Sequence, residues 1–274
     1  MAIVVAMVGA YVRRSHDRVI RPTATVVFPS LSDGDCAVIR TPDQRIIVVD
    51  AGGPASGSRV AKVVQSLHGD QIDLLILASD QDTGLGGVPA LLASSLPIRS
   101  IWNSAAAPDD PYMVKIAKRV SSRKIPYRIV HSGEAYISRS GVRVSVVWPS
   151  QRSPHIDTAA LAIRVDYGFN SILLLGPLAA SSEPNIISEG GQKLPSTVLQ
   201  IPDHGSDDGT SLELLRRVAP EVAVISCNAD SPPSPGVLHR LQAAGAAIWR
   251  TDRQGAITVT MDGHGSPALS ASRL

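Results

Sequence analysis

Histidine, cysteine and charge are all sparse in this chain, and each shortage excludes a class of function. Its 274 residues include seven histidines and two cysteines, with 18% charged residues and a formal net charge of +2. Cys36 and Cys227 are far apart and form no C-x-x-C, which argues against a thiolate metal site. They are either a disulfide or two buried thiols, and the apolar runs around each favour buried thiols. The charge balance excludes a disordered acidic or basic tail and a strongly basic nucleic-acid binder, so any affinity for nucleic acid has to come from a local patch. No apolar run reaches the roughly 20 residues of a spanning helix. Met1 to Val12 is apolar and is followed by Arg13-Arg14, without the leading positive charge or the cleavage site of a secretory signal. Residues 1–22 therefore read as the last half of a membrane helix plus a linker, the alternative being a plain apolar tail. Walker-A and dinucleotide fingerprints are missing, and no serine sits in a nucleophile elbow.

With 44% hydrophobic residues, the chain can bury a substantial core. Its organising stretch is Leu74-Leu75-Ile76-Leu77, an apolar run of strand length, followed by the polar loop Ala78–Thr83, the glycines Gly84, Gly86 and Gly87, and the apolar Val88–Leu92. Strand, polar loop, glycine pair and helix are where α/β proteins often gather backbone donors for chemistry. Strands are expected at Ala24–Phe28, Cys36–Arg40 and Arg45–Asp50, with helices at Ser58–Leu67, Val88–Ser94 and Tyr112–Ser122. Further strands are expected at Ile98–Trp102, Val142–Trp148, Leu161–Tyr167, Ser171–Leu175, Thr197–Ile201 and Val222–Cys227. Helices at Ser211–Val218 and Pro235–Ala243 and strands at Ala247–Arg250 and Ala256–Met261 close the fold, with residues 264–274 left as a frayed tail. Two strand-rich halves, each with helices, predict two sheets face to face with helices outside.

One local patch is basic. In the helix Tyr112–Ser122 the apolar Met113, Ile116, Ala117 and Val120 share a side opposite Lys115, Lys118 and Arg119; with Arg123, Lys124 and Arg128 this makes six basic residues and no acid. It reads either as a solvated face or as a phosphate-contacting patch, to which the helix N-termini expected after Gly87 and Ser206 would add backbone donors.

The order of these pieces resembles the metallo-β-lactamase-fold domain of ComEC-type competence proteins, membrane channels for DNA uptake. The likeness runs from about Thr25 to Gly263. It rests on Phe28 with Gly34-Asp35, Ile39-Arg40-Thr41-Pro42-Asp43, Val49-Asp50-Ala51-Gly52-Gly53, Leu85-Gly86-Gly87, Pro202 with His204-Gly205-Ser206, Ser234-Pro235 with Val237-Leu238, and Arg250-Thr251-Asp252-Arg253 with Gly255-Ala256. The resemblance implies an α+β, four-layer αββα sandwich over residues 23–263, linked to the membrane-embedded channel portion of a DNA-uptake protein.

In that family the central loop reads H-x-H-x-D-H and holds two metal ions that activate a water. Anchored on Leu85-Gly86-Gly87, its four ligand places fall here on Ser79, Gln81, Thr83 and Gly84. The bridging aspartate falls on Pro177, the first histidine of P-H-H-G-S on Asp203, and a later histidine on Pro232; Asp50 and His204 remain. One lost ligand or supporting partner costs about 10–100-fold in affinity or activity, so losing nearly all of them argues against the two-metal hydrolase. The resemblance thus implies a cofactor-free binding or structural domain. The alternative is a metal-dependent phosphodiesterase or nuclease with a rebuilt oxygen-ligand site from Asp50, Asp80, Asp82, Asp203 and His204, beside Asp207 and Asp208, suited to Mn²⁺ or Mg²⁺. His204 is either a residual functional group or a loop residue bonded to backbone.

Overall fold

The computed structural model describes residues 21–79, 81–104, 111–151, 160–176, 178 and 180–272. The apolar segment Met1–Val12, Asp80 and Pro177 lie outside the described residues.

The first half builds β1 (Ala24–Phe28), β2 (Ala37–Arg40) and β3 (Ile46–Val49), then α1 (Gly57–Ser66), β4 (Leu74–Leu77), the short α2 (Asp82–Leu85) and α3 (Val88–Ala93). It continues with β5 (Ile101–Asn103), α4 (Pro111–Ser122) and β6 (Tyr127–Ile129). The second half holds β7 (Ala135–Ile137), β8 (Arg143–Trp148), β9 (Ala162–Tyr167), β10 (Asn170–Leu174), α5 (Glu183–Gly190) and β11 (Val198–Gln200). Then come α6 (Leu212–Val218), β12 (Val222–Ile225), α7 (Pro235–Ala243), β13 (Ala247–Arg250), α8 (Thr251–Gln254), β14 (Ala256–Met261) and β15 (Ala268–Ser272).

These strands make two sheets, ordered β15-β14-β1-β2-β3-β4-β5-β6 and β13-β12-β11-β10-β9-β8-β7. In each sheet one side is antiparallel and the other parallel: β3 to β6 run parallel in the first, β10 to β13 in the second. The chain halves divide between the sheets as the sequence predicts, except that β14 and β15 return to the first.

Alternation decides the layers. In β3 and β4, Ile47, Val49, Leu74 and Ile76 join the core between the sheets, while Ile46, Val48, Leu75 and Leu77 face α1, α3 and α4. The second sheet does the same, with Ile172 and Leu174 turned inward and Leu173 and Leu175 packed with Leu214, Leu215 and Leu241 of the outer helices. The result is a four-layer αββα sandwich. At about 1.5–3 kcal/mol for each fully buried aliphatic side chain, the three apolar clusters supply the main drive for folding.

Three expectations need correction. The chain does not fray after Gly263: Ala268–Ser272 pairs antiparallel with β14, its small and polar residues giving no apolar signal. Ala117 is exposed, because α4 buries only Met113, Ile116 and Val120. No helix starts at Ser206; α6 begins at Leu212, where the Ser211 hydroxyl accepts from Leu214 N–H and Ser211 N–H donates to Glu183.

Candidate functional site

The parallel strands of both sheets deliver their C-terminal ends to one edge of the sandwich, the place where open α/β sheets put ligands. There the loops after β3, β4, β10, β11 and β12 meet the loop Pro29–Cys36.

The first group is built around Asp50. It follows β3 with a positive φ of 57° and is 1% exposed. Its Oδ1 accepts the backbone N–H groups of Ala78 (2.8 Å) and Ser79 (3.2 Å), and its own N–H donates to Ile76 (2.9 Å). The carboxylate thus ties together the ends of two neighbouring parallel strands.

The loop beyond is committed to itself. The Ser79 hydroxyl accepts from Gln81 N–H (2.9 Å), a local turn bond. The Thr83 carbonyl accepts from Asp35 N–H (3.0 Å), while Thr83 Oγ1 is buried without a hydrogen-bond partner among the described residues. A Cβ on Gly84 would lie 2.3 Å from Ser79 Cβ, and one on Gly87 would lie 2.1 Å from the Ala51 carbonyl oxygen. Gly86 N–H donates to Asp82 and Gly87 N–H to Gly52. The glycine pair serves close backbone packing and its own N–H groups are spent inside the fold, while α3 starts directly after it at Val88.

The second group is centred on a residue that enters the resemblance beside Gly34 but not the candidate site residues. Asp35 is 1% exposed; its Oδ1 accepts from Gln200 Nε2 (3.0 Å), which also reaches Ser226 Oγ (3.3 Å). Asp35 Oδ2 has no hydrogen-bond partner among the described residues and lies 3.6 Å from His204 Nδ1. That nitrogen is 2.8 Å from the Ser226 carbonyl, the backbone bond that was one of the two readings for His204. His204 follows Asp203 in a run of three positive φ angles, 47°, 51° and 81° with Gly205, a strained turn. Burial raises the Asp35 carboxyl above its ordinary 3.8. Burial pulls His204 down, but Asp35, the Ser226 carbonyl and Asp203 outweigh it, so the imidazole is more basic than usual.

Neither cysteine is an activated nucleophile. Both are free and buried. Burial, with Asp50 and Asp35, pushes the Cys36 thiol well up, and burial with the neighbouring Asp252 carboxylate pushes Cys227 up to about 11.

The remaining sequence candidates scatter. Asp82, Asp203, Asp207 and Asp208 are exposed, as are Gln81 and Pro232. Asp207 is engaged with Ser234 Oγ (2.9 Å) and Arg240 (3.4 Å) beside α7. Among the described residues no group of three or more His, Cys, Asp or Glu is placed to hold a metal ion. The space between Asp35, Asp50, Gly176 and Gln200 is a void of about 10 Å³, at the limit for a single water. The described residues do not fit a two-metal centre. Outside the void, a cleft of about 80 Å³ is lined by Asp33, Thr83, His204, Cys227, Asn228 and Thr251.

Away from this edge, Lys115, Lys118, Arg119, Arg123, Lys124 and Arg128 are all exposed on α4, the turn after it and β6. Arg128 is paired with Glu134 (2.5 Å), and the Lys115 ammonium lies 5.5 Å from the Tyr112 ring centroid.

A four-layer sandwich with its site at the loop edge defines the class: this is a metallo-β-lactamase-fold domain. Among solved structures it is similar to the metallo-β-lactamase-fold protein YhfI of Bacillus subtilis, with a TM-score of 0.54 and 10% identity, covering 86% of this chain and 99% of that one. In sequence it is a homologue of the competence protein ComA of Neisseria gonorrhoeae, 24% identical over 98% of this chain and 36% of that protein. It is also 39% identical to the uncharacterized protein YcaI of Escherichia coli, over 48% of this chain and 18% of that protein. The chain thus corresponds to no more than about a third of these relatives' length. No protein-family model matches it.

Proposed function

We propose that this chain is the metallo-β-lactamase-fold domain of a ComA-like DNA-uptake protein, joined to a membrane-embedded channel portion, and that it works by binding or structure without two-metal hydrolysis. The observation that carries this reading is the central loop. At the places the resemblance assigns to metal ligands, Ser79 spends its hydroxyl on a turn, Gln81 and Thr83 are poor ligands, and Gly84 has no room for a side chain. The Asp50 carboxylate holds two backbone N–H groups across neighbouring strands, a structural task independent of any cation.

Nucleic acid meets the domain, in this reading, at the α4 patch. Five of its six cations have no acidic partner within ion-pair distance among the described residues. Each phosphate contact adds about 0.9 to the slope of log affinity against log salt on duplex DNA. Replacing Lys115, Lys118 and Arg119 by alanine therefore lowers that slope by about 2–3. Affinity indifferent to salt and to the triple variant rejects the patch.

Elemental analysis of the purified protein, with a nuclease assay in Mn²⁺ and in Mg²⁺, tests the central claim. Sub-stoichiometric metal and no cleavage are expected. Stoichiometric metal with cleavage lost in Asp80→Ala or Asp203→Ala establishes the rebuilt-site enzyme instead.

A further inference from the structure

We propose that the end of the sandwich opposite the site rests on an anionic lipid surface, with Phe169 and Ile137 seated in it, so that the site edge points away from the membrane. The inference rests on the membrane linkage proposed above and adds the docking surface and the orientation.

Topology supplies the frame. The site lies at the C-terminal ends of β4, β10 and β11, so the β9–β10 turn, at the start of β10, is at the opposite end. The start of β1 is there too, because Ala24 pairs with Met261 at the end of β14. The sequence before Arg21, including the apolar Met1–Val12 and then Arg13 and Arg14, therefore joins the fold at this end.

The surface there is unusual for the rest of the molecule. Among the described residues the two most exposed large apolar side chains are Phe169, at 85%, and Ile137, at 61%. Ile137 pairs with Arg143, and Arg143 pairs with Asp166, next to Tyr167 at the base of the Phe169 turn. At about 4.8 Å between strands, that separation across β7, β8 and β9 is on the order of 10 Å.

Phe169 is held outward by a rigid clasp. Gly168 and Phe169 form a two-residue turn with Gly168 at φ +57°, and a Cβ there would lie 2.1 Å from the Gly263 carbonyl oxygen. Phe169 N–H donates to Gly263 (2.9 Å), Gly263 N–H to Asn170 Oδ1 (3.0 Å), and Tyr167 OH to the Pro22 carbonyl (3.1 Å). The turn is thereby pinned to the other sheet and to the point where the N-terminal segment joins.

Charge follows the same logic. Arg139 and Arg143 are exposed at this end, and neither has a carboxylate within ion-pair distance among the described residues. The acids closest to these arginines in sequence and pairing are engaged, Asp43 by Thr41 and Ser140 and Asp166 by Arg164, as is Asp262 by Arg21 and two backbone N–H groups, whereas Asp70 and Glu221 are exposed farther along the same end. Two exposed apolar side chains with two unpaired arginines beside them match a headgroup layer that is anionic outside and apolar beneath.

The test uses the full chain in vesicles of phosphatidylethanolamine with roughly a quarter phosphatidylglycerol. A nitroxide is attached in turn at Phe169→Cys, Ile137→Cys, Ser266→Cys and, on the cleft rim, Ser231→Cys. Cys36 and Cys227 are buried and do not compete for the label. The expected result is an oxygen-to-nickel-chelate accessibility ratio severalfold higher at 169 and 137 than at 231, falling when Arg139 and Arg143 become glutamate. Ser266→Cys leaves both apolar anchors in place and is expected to report intermediate accessibility at headgroup level. A chain that floats with the vesicles while 137, 169 and 266 stay as aqueous as 231 overturns the docking surface and leaves the linkage standing. Labels immobilised and shielded from both reagents show a protein partner on this face and overturn the lipid assignment. A chain that does not float overturns the docking surface, while the linkage to a channel portion is judged separately.

Discussion

Two loops meet at the site edge, and they are built in different ways. The loop after β4 is packing: Ser79, Gly84 and Gly87 lie against backbone and each other, and the N–H groups of Gln81, Gly84, Gly86 and Gly87 are bonded within the fold. The loop after β11 carries strain and charge, with Asp203 and His204 at positive φ and the imidazole against the buried Asp35. One loop is closed by backbone packing, whereas the other sets an imidazole beside a buried carboxylate held from both sheets.

The sharpest way to break this contrast is at the glycines. Gly87→Ala puts a Cβ 2.1 Å from the Ala51 carbonyl oxygen, where only backbone can yield. The expected loss is about 3 kcal/mol or more, or failure to fold, read from urea unfolding. Asp50→Ala comes next. It strands the N–H groups of Ala78 and Ser79 in a buried site, at about 1.5–3 kcal/mol, with Asp50→Asn recovering part of the loss. If Asp50→Ala is neutral, the carboxylate is not structural and the closed-loop description fails.

The second loop is probed by pH. Burial raises Asp35, so its contribution is complete below the ordinary 3.8 and is lost as pH rises through the raised folded value. His204 is also raised; its contribution is complete below 6.5 and is lost as pH rises through its own folded value. Both act in the same direction, so wild-type stability is expected to decline as pH rises from the acid side through and beyond 6.5. Asp35→Asn removes the carboxylate and is expected to flatten that decline by on the order of 1 kcal/mol, the scale of one buried polar group. Parallel unfolding curves for the two proteins across that range refute the coupling.

Much of the frame was legible because it is written in local patterns. The four apolar residues of β4, the alternation of β14 and the proline-led α7 announce themselves, and the expected ranges for α7, β13 and β14 coincide with those observed. Short edge strands did not: β6 and β7 are three residues each and largely exposed, and β15 carries only one large apolar residue, Leu269. The helix α5 was missed because its one-sided apolar pattern is weak and Pro184 interrupts it early. The site divides likewise. Asp50 stands out as a carboxylate at a strand tip, whereas Asp35 follows a glycine and reads as turn chemistry. Its burial is made by Gln200 and Ser226, 165 and 191 positions away, which no local window contains. The Gly34-Asp35 pair that enters the resemblance, just ahead of the apolar Cys36–Ile39, was the available signal.

The smallest expected effect discriminates most finely between the two loops. Thr83 stands where the resemblance sets a metal ligand, and its hydroxyl is buried without a partner among the described residues. A hydroxyl in that state contributes no hydrogen bond and bears its full desolvation cost, so Thr83→Val, nearly the same shape, is expected to change stability by less than about 0.5 kcal/mol or to raise it slightly. A comparable swap beside the other loop, Ser226→Ala after β12, removes the hydroxyl that Gln200 reaches at 3.3 Å, and is expected to cost about 1 kcal/mol. If Thr83→Val proves the more damaging of the two, that hydroxyl holds something in solution, and the loop after β4 is a site still in use.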